Sequence, residues 1–464
     1  MLGVLRMQSL DVVMDRKNVI TLASDSKPVL TPFQALARYR DELSVKLADN
    51  TLGMLPGVIG TIFFERGSQP QVRQAILDCF DQFNKIFGEK LNGGKDSDRG
   101  KFTKRNVKGV EKIHRVIIDT PSNLAVSVLH SSAVDQEVAA DYNIEVLTGI
   151  ANPKDYVSPR GWAAPKGQES GLSHLKFNVP MDLITTDAGL SKYEEFLHLV
   201  CNKLVVRGGY GGLAPILPFS YHRYMPQEWV LAERFSGLEI DSTAHLQKRD
   251  YDPVSYEGDS TEAMTAFYPD LHPGAKVARW GFIKGVNWYT ILGELFIDRL
   301  GGEDAIREKL DRPDIRIERA NACLMIRAGD FPRLGAPEEG LPEPYVFVNS
   351  VLRVLRDPKS DALHTYIPDL PSADVKNTCA WAARFDLPDA PPIPEPPTIV
   401  PQPMKREPAR RSVRGGSPCP EAGWWLTPAK PGSRRYFETG EIMPVIEGSS
   451  WGTTSWHWSP DENR

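Results

Sequence analysis

Apolar residues recur at helical spacing over 69–87, where Val72, Ala75, Ile76, Cys79, Phe80, Phe83, Ile86 and Phe87 line one face. Ser68 stands before this stripe as a candidate N-cap and Gly88 after it as a stop. The same period predicts helices at 190–204, from Tyr193, Phe196, Leu197, Val200 and Leu204, and at 287–300, from Trp288, Ile291, Leu292, Leu295, Phe296 and Leu300. Asn287 would cap the latter, with Gly301 and Gly302 ending it. Short half-apolar runs predict strands at 57–65, with Val58, Ile62 and Phe64 on one parity, at Ile113–Asp119, at Tyr142–Thr148, and in the run from Ile315. Another, HLKFNVP, puts Leu175, Phe177 and Val179 on one parity. Strands apolar on one parity imply a sheet with one solvated face and helices on the other. The expected fold class is α+β, a mostly antiparallel sheet packed by helices, followed by a Pro-rich linker and a small β-rich module.

One composition shift divides the chain. Nine of the 21 residues from Pro388 to Pro408 are proline, which forces extended segments without helix or ladder hydrogen bonds. The basic stretch Lys405–Gly416 that follows reads as the solvated end of this spacer. Beyond it, Trp424, Trp425, Trp451, Trp456 and Trp458 crowd five of the ten tryptophans into the last 41 residues. Such a cluster must be buried or remain a sticky patch. We expect a small β-rich module whose tryptophans are mainly its own core and its dock, with an exposed edge for a partner. The expected organisation is an extension at 1–50, a body at 51–386, a linker at 387–416 and the Trp-rich module at 417–464.

The 464 residues, 41% hydrophobic and 25% charged, are ordinary for a globular protein. A net charge of −5 demands neither nucleic acid nor membrane as partner. Cys79, Cys201, Cys323, Cys379 and Cys419 lie far apart, are odd in number and form no CxxC pair, so a disulfide framework and a zinc knuckle are not expected. No 18-residue apolar run predicts a membrane helix, and Asp11, Asp15, Arg16 and Lys17 break the opening segment. The expected location is the cytoplasm.

Candidate chemistry is sparse. The run RGGYGGLA, Arg207–Ala214, follows a predicted helix instead of preceding one and lacks a Gly-Lys-Ser/Thr ending, so it reads as a tight turn covered by Tyr210 and not as a phosphate loop. The nine histidines form no HxH or HExxH pattern. His245, four residues after Asp241, has the spacing of a carboxylate-oriented base, but a surface loop histidine is the simpler meaning. Glu294 and Asp298 share a helix face, as solvated pairs commonly do. Cys79 and Cys201 lie on apolar faces where cysteine is inert. No catalytic, cofactor-binding or metal-ligating residue is nominated.

The succession GGYGGLA, WVLAERFSGLEID (Trp229–Asp241) and GFIKGVNWYTILGELFIDRLGG (Gly281–Gly302) resembles the type VI secretion immunity family. Arg234, Phe235, Gly237, Leu238 and Asp241 match its central turn, and Trp288, Leu292, Gly301 and Gly302 its third segment. The tail is similar to a module appended to bacterial immunity and polymorphic-toxin proteins, through Cys419, Pro420, Gly423, Trp425, Gly440, Glu441, Met443, Pro444, Trp456 and Trp458. The resemblance implies a non-enzymatic inhibitor that binds a cognate type VI effector toxin, with no cofactor and no direct contact with nucleic acid or membrane. It would act by occluding the effector's active cleft, and a cytoplasmic inhibitor suits a nuclease. The expected partner-binding candidates are Trp451, Trp456, Trp458, Arg434 and Arg435. An adaptor that loads effectors, or an enzyme of another type, are the alternatives.

Overall fold

The computed structural model describes residues 31–48, 51–96, 101–104, 106–151, 169, 172–242, 250–251, 278–279, 282–358, 360, 362–364, 369–393, 412–430, 432–447 and 454–459. The chain divides into two compact units, Met1–Glu395 and Pro396–Arg464.

The first unit is built on β2 (Leu52–Phe64), a 13-residue strand that pairs antiparallel with β7 (Ser173–Pro180) on one side and β8 (Val206–Ile216) on the other. Outward from β7 come β6 (Asn143–Leu147), β5 (Ser127–Ser131), β3 (Gly93–Lys95) and β4 (Thr103–Lys104). Outward from β8 come β11 (Tyr289–Gly293), β13 (Cys323–Ala328) and β12 (Ile315–Ala320), and β1 (Val45–Lys46) adds to β2. Every pairing in this sheet is antiparallel. The mixed, mostly antiparallel α+β architecture expected from the alternation is present.

Helices α2 (Pro70–Phe87) and α4 (Asp187–Lys203) cover one face with the stripes predicted for them. The contact is aromatic: Phe196 meets Phe177 of β7 edge-on at 4.8 Å and Phe83 of α2 at 5.1 Å. Edge-to-face pairs of this kind stabilise beyond the area they bury. Tyr193 of α4 stacks on Trp288 at 5.6 Å, and its hydroxyl donates to the Ile59 carbonyl at 2.7 Å.

Three local expectations are corrected. Residues Ile113–Asp119 belong to a helix, α3 (Val107–Asp119), not a strand. Ile113 and Ile117 mimic a period of two, but with Val110 and Val116 they follow the helical period, and the Asn106 side chain caps the start by accepting from the Gly109 amide at 2.8 Å. The predicted helix 287–300 is a strand, β11, followed by the six-residue helix α6 (Glu294–Arg299). All five β11 residues are buried between β8 and β13, so nothing alternates and the apolar run fits either period. Gly301 and Gly302 do end α6, with φ of 95° and 94°.

The third correction concerns the Gly-rich run, which is the interior strand β8 and not a turn. Close approach does explain its glycines: a Cβ at Gly212 would lie 2.1 Å from the Asn287 Oδ1. Its opposite neighbour in the third segment is Asn287 itself, which accepts from the Trp288 amide at 2.7 Å and so is no helix cap.

The second unit holds a four-stranded antiparallel sheet, in the order β14 (Ser412–Arg414), β17 (Ser455–Trp458), β15 (Gly423–Leu426) and β16 (Arg435–Phe437). Trp425, Trp456, Phe437, Met443 and Cys419 form its buried core. The indole N–H of Trp456 donates to the Pro444 carbonyl at 2.8 Å, and Trp425 donates to the Glu421 carbonyl at 3.2 Å. Most of the proline stretch lies outside the described residues.

Gly237 makes the fold testable, because a Cβ there would lie 1.9 Å from the Arg333 carbonyl oxygen. Gly237→Ala should cost about 2–3 kcal/mol of unfolding free energy in a denaturant titration. Gly109→Ala in the first turn of α3, where a Cβ meets nothing nearer than 3.5 Å, should instead add about 0.5–1 kcal/mol.

Candidate functional site

The second parity of the central strands carries polar residues, and in the middle of the sheet they are buried instead of solvated. Register sets Thr61 of β2 beside Lys176 of β7 and Tyr210 of β8, and Lys176 beside Glu145 of β6. Over them runs the segment after α5 (Met225–Arg234), anchored by Glu239 donating its amide to the Leu213 carbonyl at 2.8 Å. Phe235, Leu238 and Ile240 of this segment are buried, which leaves Glu239 and Asp241 among polar partners.

Asp241 is the hub. One carboxylate oxygen accepts from Thr61 Oγ1 at 2.8 Å and from the Tyr210 hydroxyl at 3.0 Å, and the other lies 2.9 Å from Lys176 Nζ. Burial opposes its charge, but Lys176 and Lys284 outweigh burial and hold the carboxyl below its usual range. Burial likewise opposes the Lys176 ammonium, which Asp241 and Glu145 nevertheless raise above its ordinary value. Beside them Lys284 pairs with Glu239 at 2.8 Å, each side chain 2% exposed, donates to the Ile240 carbonyl, and sits 4.0 Å over the Tyr210 ring. Asn287 donates to the second Glu239 oxygen at 2.8 Å. Burial pulls the Lys284 ammonium below its ordinary value.

A cavity of about 630 Å³ opens beside this network. Its floor is the second parity of four strands, with Ile59, Leu129, Glu145, His174, Lys176 and Asn178. The segment after β8, including Phe219 and Tyr221, forms a wall, and Glu228 and His364 close one end. The Ala373 amide donates to His364 Nδ1 at 3.2 Å, so Nε2 carries the proton and donates to Glu228 Oε2 at 2.8 Å. The His174 side chain makes no hydrogen bond with a described residue, and burial followed by the neighbouring Lys176 pushes its pKa down to about 3. It is a neutral imidazole. The volume and the mixture of apolar walls with converging polar groups fit a binding site.

The residues singled out from the sequence scatter. Asp241 is in the network, whereas His245 lies outside the described residues. Glu294 of α6 pairs with Arg319 of β12, away from the cavity lining. Cys79 and Cys201 are buried, and burial pushes the Cys79 thiol up to about 12. Among the described residues no cluster of three or more His, Cys, Asp or Glu could hold a metal ion.

In the second unit Trp456 is core and only 2% exposed, while Trp451 lies outside the described residues. Trp458 is half-buried, edge-on to Trp425 at 5.3 Å. Arg435 pairs with Glu441 and covers the Phe437 ring at 4.1 Å. Arg434 lies 4.9 Å over Trp424, which meets the half-exposed Tyr436 at 5.8 Å. Strand parity would have separated Trp424 from Trp425, the one signal that distinguishes the outward ring from the core ring.

The site residues that the sequence missed are Glu239, Lys176, Lys284, His174 and Glu145. They come from four segments, His174 and Lys176 sharing one parity of β7, and no sequence pattern joins the four.

A family model described as TsiV, type VI immunity for VRR-NUC, matches residues 75–258 and 257–385. Among solved structures, the Pseudomonas aeruginosa T6SS protein PA0821 is similar, with a TM-score of 0.59 and 21% identity over 78% of this chain and 92% of that one. At that identity the likeness is one of fold. No curated protein matches the sequence.

Two measurements test the network. Lys284→Met leaves Glu239 buried without its counter-charge and should cost about 3–5 kcal/mol in a denaturant titration, most of it recovered in Lys284→Met/Glu239→Gln. The depressed His174 pKa means that below pH 6.5 the unfolded chain takes a proton the folded chain refuses, so stability is full above that pH and is lost as pH falls toward about 3. In His174→Gln, the fall in unfolding midpoint between pH 6.5 and 4 should be shallower than in the parent.

Proposed function

The chain belongs to the TsiV family of type VI immunity proteins for VRR-NUC, and on that footing we propose that it silences its cognate nuclease effector by covering the nuclease's active cleft. The observation that carries this reading is the family match over 75–385, which spans every strand of the large sheet except β1 and β2, and the segment bearing Glu239 and Asp241 that lies over its polar face. Binding of a cognate effector follows from the family. Occlusion is the mechanism that a rigid sheet with a built concavity serves best, because complementary surfaces of this kind centre on desolvated anchors.

The chain's role is protective binding, and we assign it no reaction. In the cavity, Asp241 is neutralised by Lys176 and Glu228 is hydrogen-bonded to His364, an arrangement that spends acids and bases on structure. We place the body at 51–386, the linker at 387–416 and the module at 417–464. Within the module the outward ring of Trp424, Tyr436 and Arg434 takes the contact role, joined by Arg435 and Trp458, while Trp456 serves the core. A nuclease acts on nucleic acid inside the cell, so we place this inhibitor in the cytoplasm. Among the described residues no helix is long and apolar enough to cross a membrane.

The experiment is co-expression with VRR-NUC effectors from the same genome. One of them should arrest growth when made alone and permit growth when this chain is made beside it. Arrest that persists with every such effector overturns the reading, and a change in effector secretion without a change in survival would identify an adaptor.

A further inference from the structure

We infer that the cavity on the polar face of the sheet is the socket for a basic side chain, arginine or lysine, presented by the nucleic-acid-binding surface of the nuclease. The inference rests on the function proposed above and names the surface that performs it.

Charge is the first argument. The described residues lining the cavity include four carboxylates, Asp135, Glu145, Glu228 and Asp241, against two ammonium groups, Lys95 and Lys176. Asp241 is matched by Lys176 at 2.9 Å. Glu145 is 3.5 Å from the same ammonium, beyond a good hydrogen bond, and its side chain remains 27% exposed. Glu145 therefore keeps acceptor capacity for a second cation. A nuclease must hold a phosphodiester backbone with lysine and arginine, so its substrate surface supplies the complementary charge.

Hydrogen bonding is the second. His174 is 8% exposed, lies two residues along β7 from Lys176 on the same parity, and its side chain makes no hydrogen bond with a described residue. Held neutral by burial, its ring offers an acceptor nitrogen to an N–H donor without repelling a cation. A guanidinium carries five donors and is lightly hydrated, which suits the Glu145 carboxylate and the neutral His174 imidazole on one floor.

The mouth is the third. Phe219 and Tyr221 are 39% and 44% exposed beside the cavity, and Phe219 already accepts the Lys95 ammonium over its ring at 3.9 Å. Aromatic rims of this sort hold the stem and charge of a long basic residue. Arginine and aromatic groups are also the side chains that dominate interface energetics.

The test measures affinity between the full chain and its cognate VRR-NUC effector, inactivated by substitution so that it can be produced, by calorimetry or biolayer interferometry. Glu145→Lys should weaken binding at least about 30-fold and Glu145→Gln about 10-fold, since each leaves the incoming cation unpaired. Tyr221→Ala should also weaken it. Glu195→Lys, on the exposed face of α4 across the sheet, should leave affinity within about twofold of the parent. Thermal melts of all four variants verify folding, and the conservative Glu145→Gln carries the result if the lysine variant is unstable. Parent-like affinity in folded Glu145→Gln and Tyr221→Ala overturns this inference while leaving the immunity reading intact. Failure of the parent chain to bind any VRR-NUC effector defeats both. A small molecule retained by the purified chain in native mass spectrometry, with effector affinity unchanged in Glu145→Gln, would assign the cavity to another ligand and overturn the inference.

Discussion

The structure turns on the pairing of buried charge across the middle of a wide sheet. An eleven-stranded antiparallel sheet has two faces to cover, and only one of them is covered by helices with aromatic stripes. On the other face the segment bearing Glu239 and Asp241 takes Lys176, Thr61 and Tyr210 out of water, and its Asp241 supplies the partner that each of them then needs. A buried ion left alone costs several kcal/mol, on the order of the whole stability of a domain. The carboxylates of this one segment and the ammonium groups of Lys176 and Lys284 therefore have to arrive together. Once they do, the register of β2, β7 and β8 is held from both faces.

That constraint explains which features of the resembling segments matter. Gly237 lets the chain pass within contact of the Arg333 carbonyl, Phe235 and Leu238 bury the turn, and Glu239 and Asp241 make the electrostatic closure. Gly212 leaves room for Asn287, which in turn holds Glu239. Three stretches distant in sequence are thus one structural unit. The cavity lies beside Asp241 and Ser242, on the polar parity of β5, β6 and β7.

The helix-covered half was largely legible. Stripes at 69–87 and 190–204, and alternation at 142–148 and 174–180, correspond to α2, α4, β6 and β7, because a half-buried element must separate its apolar and polar residues. The reading failed where that separation was missing or truncated. Strand β11 is buried on both faces, β8 is made of glycines that carry no pattern, and the window at Ile113 began halfway through α3. The tail was read as a tryptophan core with a remaining edge, and the four-stranded module has that core in Trp425 and Trp456. Which rings entered that core followed strand pairing, which set Trp425 and Trp456 inside and Trp424 against Tyr436.

The sequence by itself determined the class of fold, the break at the prolines, the inert placement of Cys79 and Cys201, and the segments that mark the family. All of these are local properties, written in spacing and composition. Only the tertiary structure decided that Glu239 and Asp241 meet Lys284 and Lys176, that Tyr210 covers a charge and not a turn, and that Glu145 and His174 share a cavity. Those meetings join residues about 30 to 75 positions apart. Their energy depends on burial and on distances of about 3 Å, and neither quantity exists until the strands are in register.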